Sequence, residues 1–519
     1  MTSTTQGRLR AALVLAAALL APALLPAQEP ATPATDATPA VAPAGRQLSL
    51  EEALTLAEGA GENVRIASSE IDRAEAQVRE ARSELLPQLD AAAGYTRTLH
   101  SEFQDINFDF GGDSGSSDLS NLPFGQANQY RLGLTLNQSL FTGGRIQAQT
   151  RAAKAGVSSA QTTLSSTKAD LALQVTGAYF DALLLDRLVN ISEVSYEQAN
   201  RTYELAKLSH QVGNQSEFEL LRAQVSRDNV KPTLVQRRAN RDLAYARLAQ
   251  LLDLSPIQPL ELTTGFAQFD IWQAKGVALP AATDRAAWLE QITEQRAPVR
   301  QARLALEAQQ EQVKIARAER LPSLGLSSDY GRVAYPIGGL PSWADTRTNW
   351  TVALGVHVPV FTGGRLAAQE ASQRAAADQA SERLRLVREQ SWLDARDALD
   401  QLDAAQAVWE STMGTIEQAQ RAYDIAELRY REGLSTQLEL NDTRIALTFT
   451  QGNAALAARN VQVARARVAL LPDLTLFSGA SSTLSAGAAG AGNSPAAPQA
   501  TAPAVGLPNA LFTSSGGSF

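Results

Sequence analysis

Leu140 Phe141 Thr142 Gly143 Gly144 Arg145 and Val360 Phe361 Thr362 Gly363 Gly364 Arg365 are two copies of one phrase. Each follows alternating apolar residues and precedes a long Ala/Gln/Arg-rich run, so each glycine pair stands where a period of two becomes one near 3.6. That pattern predicts a strand-to-helix corner, where glycine supplies a positive φ or lets two backbones approach closely. Recurrence about 220 residues later, in matching surroundings, makes the phrase the register mark of an internal duplication.

Working outward, the residues before each phrase alternate. Val352, Leu354, Val356, Val358 and Val360 fall on one face of a strand, and Thr351, Ala353, Gly355, His357 and Pro359 on the other. In the first copy Leu132, Leu134, Leu136 and Leu140 alternate with Arg131, Gly133, Thr135, Asn137 and Ser139. Each copy has a second alternating run, so strands are expected over 88–99, 129–140, 323–335 and 348–360. Polar, glycine-rich loops divide each pair, 101–128 in the first copy and a shorter one with Gly338, Gly339 and Pro341 in the second. The runs suit tilted membrane strands, with Tyr95, Tyr130, Tyr330, Tyr335, Trp343 and Trp350 near the loop ends where an aromatic girdle falls. A soluble sandwich would alternate in the same way. Leu86 Pro87 and Leu321 Pro322 read as exits from helix into strand, because proline cannot continue a helix but can open a strand. The helices they close start near Leu48, with a Ser49/Glu52 capping box, and near Asp284.

Downstream of each phrase, helical patterning runs without proline from Arg145 to about His210 and from Arg365 to about Arg431. At 1.5 Å per residue each helix is about 100 Å long. Thr150, Ala153, Val157, Ala160, Leu164, Thr167 and Leu171 trace a heptad-like stripe of mostly small residues for close packing. The chain turns at Val212 Gly213 Asn214 Gln215 Ser216 and at Glu432 Gly433 Leu434 Ser435 Thr436, each with a C-cap glycine followed by an N-cap hydroxyl. Return helices run to about Leu254 and Leu471, the first carrying Pro232, where a kink is expected.

With 519 residues, a net charge of −8 and no basic block, the chain has no electrostatic footprint for nucleic acid. Absence of cysteine removes disulfides, thiolate sites and a lipidated N-terminus. His100, His210 and His357 stand apart with no second ligand at metal spacing, and no nucleophile, base and orienter emerge together, so neither enzyme chemistry nor a cofactor is expected. Arg8 and Arg10 before an apolar run from Ala11 to Leu25 and small residues ending at Ala27 read as a secretory signal, cleaved before Gln28 or alternatively after Ala23. An exported chain without a spanning helix is soluble or a membrane β-structure. Four strands cannot close a barrel and open edges are not tolerated in lipid, so a membrane reading requires oligomerisation.

Helix, Leu-Pro, strand pair, Phe-Thr-Gly-Gly, very long helix, glycine turn and return helix, all written twice, resemble the TolC outer-membrane efflux protein family over Leu48 to Leu471. The resemblance implies a mostly α fold with membrane β: a trimeric twelve-stranded β-barrel, four strands per protomer, continued by a long α-helical barrel across the periplasm. It divides the chain into a signal peptide (1–27), a disordered linker (28–47), a first repeat (48–254), an equatorial connecting segment (255–283), a second repeat (284–471) and a low-complexity tail (472–519). The implied function is the passive outer-membrane exit duct of a tripartite efflux or type I secretion system. Implied partners are two further copies of the chain, outer-membrane lipid, a periplasmic membrane fusion adaptor, and an inner-membrane pump of resistance-nodulation-division, ATP-binding cassette or major facilitator type.

Site residues follow from the same resemblance. The adaptor would dock on the turns holding Gly433, Leu434, Ser435 and Thr436, and on Gly213 and Ser216, where Asn214 replaces the leucine. Glu439 and Asp442 fall where the family narrows its mouth with acids; three apart on a helix, they share a face and would form a negative ring about a pore. Solvated charges near a helix N-terminus are the plainer reading of the same pair. Tyr430 falls on a tyrosine that bonds an acid on the neighbouring coil, here Glu219, while the assisting arginine is replaced by Ser435. A soluble periplasmic coiled-coil adaptor or scaffold is the alternative, with long hairpins but no need for lipid-facing strands.

Overall fold

The computed structural model describes residues 46–100, 127–255, 259–266, 284–336 and 341–476. The expected signal peptide, most of the linker, the 101–126 loop, Gly338 and Gly339, most of the connecting segment with Trp272, and the tail beyond 476 lie outside the described residues. The first repeat comprises β1 (Arg46–Leu48), α1 (Leu50–Ala60), α2 (Glu62–Ser83), β2 (Gln88–Arg97), β3 (Asn128–Phe141), α3 (Arg145–Gln211) and α4 (Glu217–Leu251). After β4 (Leu260–Leu262), the second comprises α5 (Arg285–Gln295), α6 (Ala297–Ala318), β5 (Ser323–Ala334), β6 (Arg347–His357), α7 (Arg365–Arg431) and α8 (Gln437–Leu470).

Both glycine pairs adopt positive φ, Gly143 at 62° and Gly144 at 88°, Gly363 at 60° and Gly364 at 84°, and each second glycine opens a helix of 67 residues. The corner is therefore a left-handed pair that side chains with a β-carbon would strain.

The helix read as starting at Leu48 is instead a strand and two helices. Arg46, Gln47 and Leu48 pair in parallel with Leu260, Glu261 and Leu262, which takes the last two residues out of the expected linker. Ser49 caps α1 by accepting from Glu52 N–H at 3.1 Å, but only half of the capping box forms, because the Glu52 carboxylate turns to Arg46 at 2.8 Å. α4 continues through Pro232, although a proline there leaves the Asp228 carbonyl without its usual helical donor.

β2, β3, β5 and β6 form one antiparallel sheet in that order, so β2 and β6 are its edges. Directly paired residues share a face, and the register sorts the side chains. One face carries Leu89, Ala91 and Ala93, then Leu132, Leu134 and Leu136, then Leu324 and Leu326, then Val352, Leu354 and Val356. The opposite face carries Asp90, Thr135, Asn137, Ser327, Asp329 and Thr351 with Gly94, Gly133, Gly325, Gly331 and Gly355. Thr135 Oγ1 donates to Asp329 Oδ1 across this polar face at 2.9 Å. Aromatic pairs close the apolar face toward the loops: Tyr95 lies 4.7 Å from Tyr130, and Tyr330 lies 6.5 Å from Trp350.

Two strand ends differ from the alternation. Val358 and Val360 lie beyond β6, because Pro359 has no N–H for the ladder and disfavours continuation of the pairing around it; both are exposed, as expected, but outside the strand. A register shift between Ser139 and Phe141 leaves Leu140 out of step and sets Phe141, rather than Leu140, opposite Leu324.

The core sits at the helix midpoints. Leu48, Leu50 and Leu54 pack on Val175, Tyr179 and Phe180 of α3 and on Leu248 of α4. Tyr179 hydroxyl donates to Leu48 O (3.0 Å) and accepts from Thr264 N–H (2.9 Å), fastening β1 and the segment after β4 to α3. In the second repeat Leu289 and Ile292 pack on Ala395, Leu399 and Leu402, with Val468 and Leu471. Residues 472–475, expected to open the tail, are held here: Ala297 N–H donates to Pro472 O (2.7 Å), Arg300 pairs with Asp473, and Arg296 donates to Leu474 O (3.3 Å). The predicted small-residue stripe on α3 is half-buried throughout, and the buried positions within its span are Ala155, Thr162, Ser166 and Ala169. α3 is packed along its length by α1, α2, α4, α6 and α8, so no single stripe faces one neighbour.

Candidate channel face and docking tips

Among the described residues the candidate functional surfaces are the sheet and the far ends of the two helical hairpins. Pro87 and Pro322 immediately precede β2 and β5, and the glycine corners carry the chain from β3 and β6 into α3 and α7, so all four junctions lie at one end of the sheet.

At the opposite end of the long helices the turns close by one geometry. Gly213 (φ 78°) and Gly433 (φ 71°) take left-handed conformations. Asn214 N–H donates to Ser209 O and Leu434 N–H to Arg429 O, both at 2.8 Å, while the glycine N–H groups reach His210 O (3.0 Å) and Tyr430 O (3.1 Å). These are Schellman closures, and they satisfy carbonyls the helix ends leave free. Ser216 and Thr436 then cap α4 and α8 by accepting from Glu219 and Glu439 N–H, each at 3.4 Å. Leu434 stands 71% exposed at the second apex, where the first has Asn214.

Glu439 and Asp442 have different surroundings. Glu439 accepts from Arg429 at 2.9 Å and from Ser435 Oγ at 2.8 Å, so its charge is matched across the turn by a cation in the last turn of α7. Asp442 is exposed one helical turn on and has no ion pair among the described residues. Tyr430 and Glu219 are not joined within the chain. Tyr430 hydroxyl has no hydrogen-bond partner among the described residues, and Glu219 is occupied: the Gln437 amide, oriented to accept from Ala223 N–H at 3.0 Å, donates to the Glu219 carboxylate at 3.0 Å.

That amide begins a polar seam the sequence reading missed. Gln437, Asn441 and Arg444 recur at i, i+4 and i+7 on α8 and face the first hairpin. Ser226 donates to Asn441 Oδ1 (2.9 Å), and Arg444 donates to Asn441 Oδ1 (2.7 Å) and Ser195 Oγ (2.5 Å). Arg444 is buried with neutral partners only, and burial lowers its pKa. Neighbouring Tyr423 is pushed up to about 12 by burial and by Glu427. Three polar residues at core spacing in an otherwise apolar stripe were the available signal.

A family model described as "Outer membrane efflux protein" matches residues 55–253 and 288–471, most of the chain. The chain belongs to the outer membrane efflux protein family. Among relatives of this efflux protein, the pyoverdine export outer membrane protein OpmQ of Pseudomonas aeruginosa is 25% identical over 401 residues, covering 75% of this chain and 78% of that one. The toluene efflux pump outer membrane protein TtgC of Pseudomonas putida is 23% identical over 393 residues, 75% of each chain. Of solved structures, the outer membrane protein VceC of Vibrio cholerae superposes with a TM-score of 0.64 at 21% identity, covering 82% of this chain and 96% of that one. The efflux protein resides in the outer membrane, extends into the periplasm, and is a passive exit channel rather than an enzyme. Membership implies an adaptor and an inner-membrane pump as partners and sets aside the soluble scaffold.

Proposed function

We propose that three copies of the chain share one barrel and one helical tunnel, serving as the outer-membrane exit duct of a tripartite efflux or type I secretion system. One observation carries this: a sheet apolar on one face and polar on the other, with two unpaired edges, continues directly into helices about 100 Å long. Edges exposed to lipid must pair, and the duplication supplies the rule for pairing. Within the chain, the second strand of the first repeat (β3) pairs with the first strand of the second repeat (β5), Leu136 opposite Ser328. Shifting those residues by the 220-residue offset of Phe141 to Phe361 and the 235-residue offset of Pro87 to Pro322 places Val356 opposite Ala93 of the next copy. Leu354 then meets Tyr95, and the apolar faces coincide without adjustment.

The lipid-facing band is Val352, Leu354 and Val356, followed by Val358 and Val360 at the junction. The tips at Gly213, Ser216, Gly433, Leu434, Ser435 and Thr436 dock a membrane fusion adaptor, which links the duct to a pump of resistance-nodulation-division, ATP-binding cassette or major facilitator type. Exposed Phe218, Leu221, Ile425, Leu428 and Leu438 near the tips support helix faces completed by neighbours. At the mouth, Asp442 supplies the ring charge and Glu439 shares its own with Arg429, while Tyr430 is left to meet an acid of a neighbouring coil.

The chain has no cysteine, so Ala93→Cys combined with Val356→Cys tests the barrel directly. Oxidation of detergent-extracted protein should yield covalent trimers, and native mass spectrometry of the unmodified chain should return three copies. Soluble monomers, or cross-linking no better than with the slipped pair Ala92→Cys and Val356→Cys, would discard the arrangement. In bilayer recordings Asp442→Asn should relieve block by multivalent cations more than Glu439→Gln.

A further inference from the structure

Arg332 is out of keeping with the face it occupies. By register it lies opposite Leu132 on one side and Thr348 on the other, on the apolar face of the sheet, two residues beyond Tyr330 toward the loop end. That face carries no carboxylate on any of its four strands, and its two cations, Arg97 and Arg332, both lie in the loop-end part. The side chain is held in place: its guanidinium stands 4.0 Å above the Trp343 ring and donates to Tyr330 hydroxyl (3.1 Å) and Thr346 Oγ1 (3.4 Å). Asp329, three residues before Arg332, lies on the opposite face and accepts from Thr135, Asp345 is turned back onto Ser342 N–H at 2.9 Å, and no ion pair to Arg332 exists among the described residues. A groove of about 420 Å³ opens beside it, lined by Ala93, Tyr95, Tyr130, Leu132 and Trp343. A fixed cation without a counter-ion among the described residues, above an apolar wall and within an aromatic rim, suits a ligand with a phosphate at one end and hydrocarbon at the other.

We propose that Arg332 and the Tyr95–Tyr130–Trp343 groove bind the phosphate of an outer-leaflet lipid, with its acyl chains lying along the Leu132 to Leu136 face. This rests on the channel reading, which turns the junction end of the sheet to the periplasm and the Arg332 end to the outer leaflet. β5 lies inside the sheet rather than at an edge, so the site is complete within one chain.

The test uses full-chain protein extracted in mild detergent, with retention of diphosphoryl lipid A and of its phosphate-free form followed by native mass spectrometry. Wild-type protein should retain the phosphorylated lipid in preference, Arg332→Gln should bind it about fivefold more weakly, and Arg332→Lys should recover part of the loss. Arg347→Gln, on the polar face and outside the groove, should bind as wild type, and excess inorganic phosphate should not displace the lipid. Equal retention by Arg332→Gln and wild type, equal retention of the phosphate-free lipid, or displacement by inorganic phosphate would each overturn the site. Outer-membrane fractionation and trimer mass, scored on the same samples, separate this from a failure of the channel reading: a correctly placed trimer without lipid preference removes only the site.

Discussion

Gly61 and Arg296 occupy the same place in the two repeats, 26 residues before Pro87 and Pro322 respectively, where the short helix breaks from the longer one. Their backbones match, with φ −58° and ψ 119° against φ −62° and ψ 139°, so neither break depends on a left-handed residue. The side chains are complementary opposites. A β-carbon at Gly61 would come within 2.8 Å of Leu171 Cδ2 and 2.9 Å of Ala57 O. At the position equivalent to Leu171 the second repeat has Ser391, and the space is filled by Arg296, fully buried, which donates to Ser391 O (3.3 Å), Asp394 (2.6 Å) and Leu474 O. Small against large in one repeat has become large against small in the other. The duplicated backbone is thus packed by exchanged volumes, and in the second repeat the exchanged side chain is itself a polar tether to the segment after α8.

Substitutions can break this comparison. Arg296→Ala should cost the most, about 3–5 kcal/mol, because it empties a buried volume and leaves Asp394 with Arg467 alone, and thermal unfolding of the purified protein should report it. Next, Val356→Arg should cost about 2–4 kcal/mol and lower the yield of assembled protein, whereas Thr351→Arg on the polar face should be tolerated. Gly61→Ala should cost about 1–3 kcal/mol and be relieved by Leu171→Ala, so additive costs in that cycle would deny the exchanged-volume account. The glycine corners form a parallel pair. An added β-carbon at Gly143 meets Leu321 Cβ at 2.8 Å and Ala318 O at 3.0 Å, whereas at Gly363 nothing lies within 4 Å. In the chain alone Gly363→Ala should therefore cost only its left-handed strain, about 1–2 kcal/mol, and approach the larger Gly143→Ala cost in the trimer if a neighbour's Leu86 packs there.

The smallest expected effect is acid lability. Buried Glu370 is held below the usual carboxylate range by hydrogen bonding to Arg317 and by the charges of Arg320 and Arg374. Glu311 is desolvated, which opposes the shift, yet Lys314 and Arg151 lower it overall. Because both folded values lie below the unfolded one, their stabilisation is present above about pH 4.3 and lost as pH falls through the depressed values. Unfolding monitored from pH 6 downward should show that loss, and Glu370→Gln should flatten it.

Much of this was legible locally. The glycine corners and Schellman turns were readable because left-handed conformations select glycine, and proline marked the helix exits for its missing N–H. Pro359 also held the information that β6 stops at His357, which the uninterrupted valine alternation concealed. The break at Arg296 was marked only by Pro298 in the first turn of α6, where a missing N–H needs no partner; what the local residues do not show is the pair of contacts, with Asp394 and Leu474, that hold the arginine there. Glu219 looked available to Tyr430 for the same reason: its partner, Gln437, is more than 200 positions away. The α3 stripe was misphased because five different helices pack along that helix.

Sequence alone determined the duplication, the alternation of the strands, the length of the long helices and the turns that reverse them, because each depends on residues within a few positions of one another. Tertiary structure alone decided the order β2-β3-β5-β6, which leaves one edge of each repeat unpaired, and which acids at the tips are matched by cations. Those outcomes rest on contacts between residues far apart in the chain, where pairing follows topology and the space left by neighbours rather than local preference.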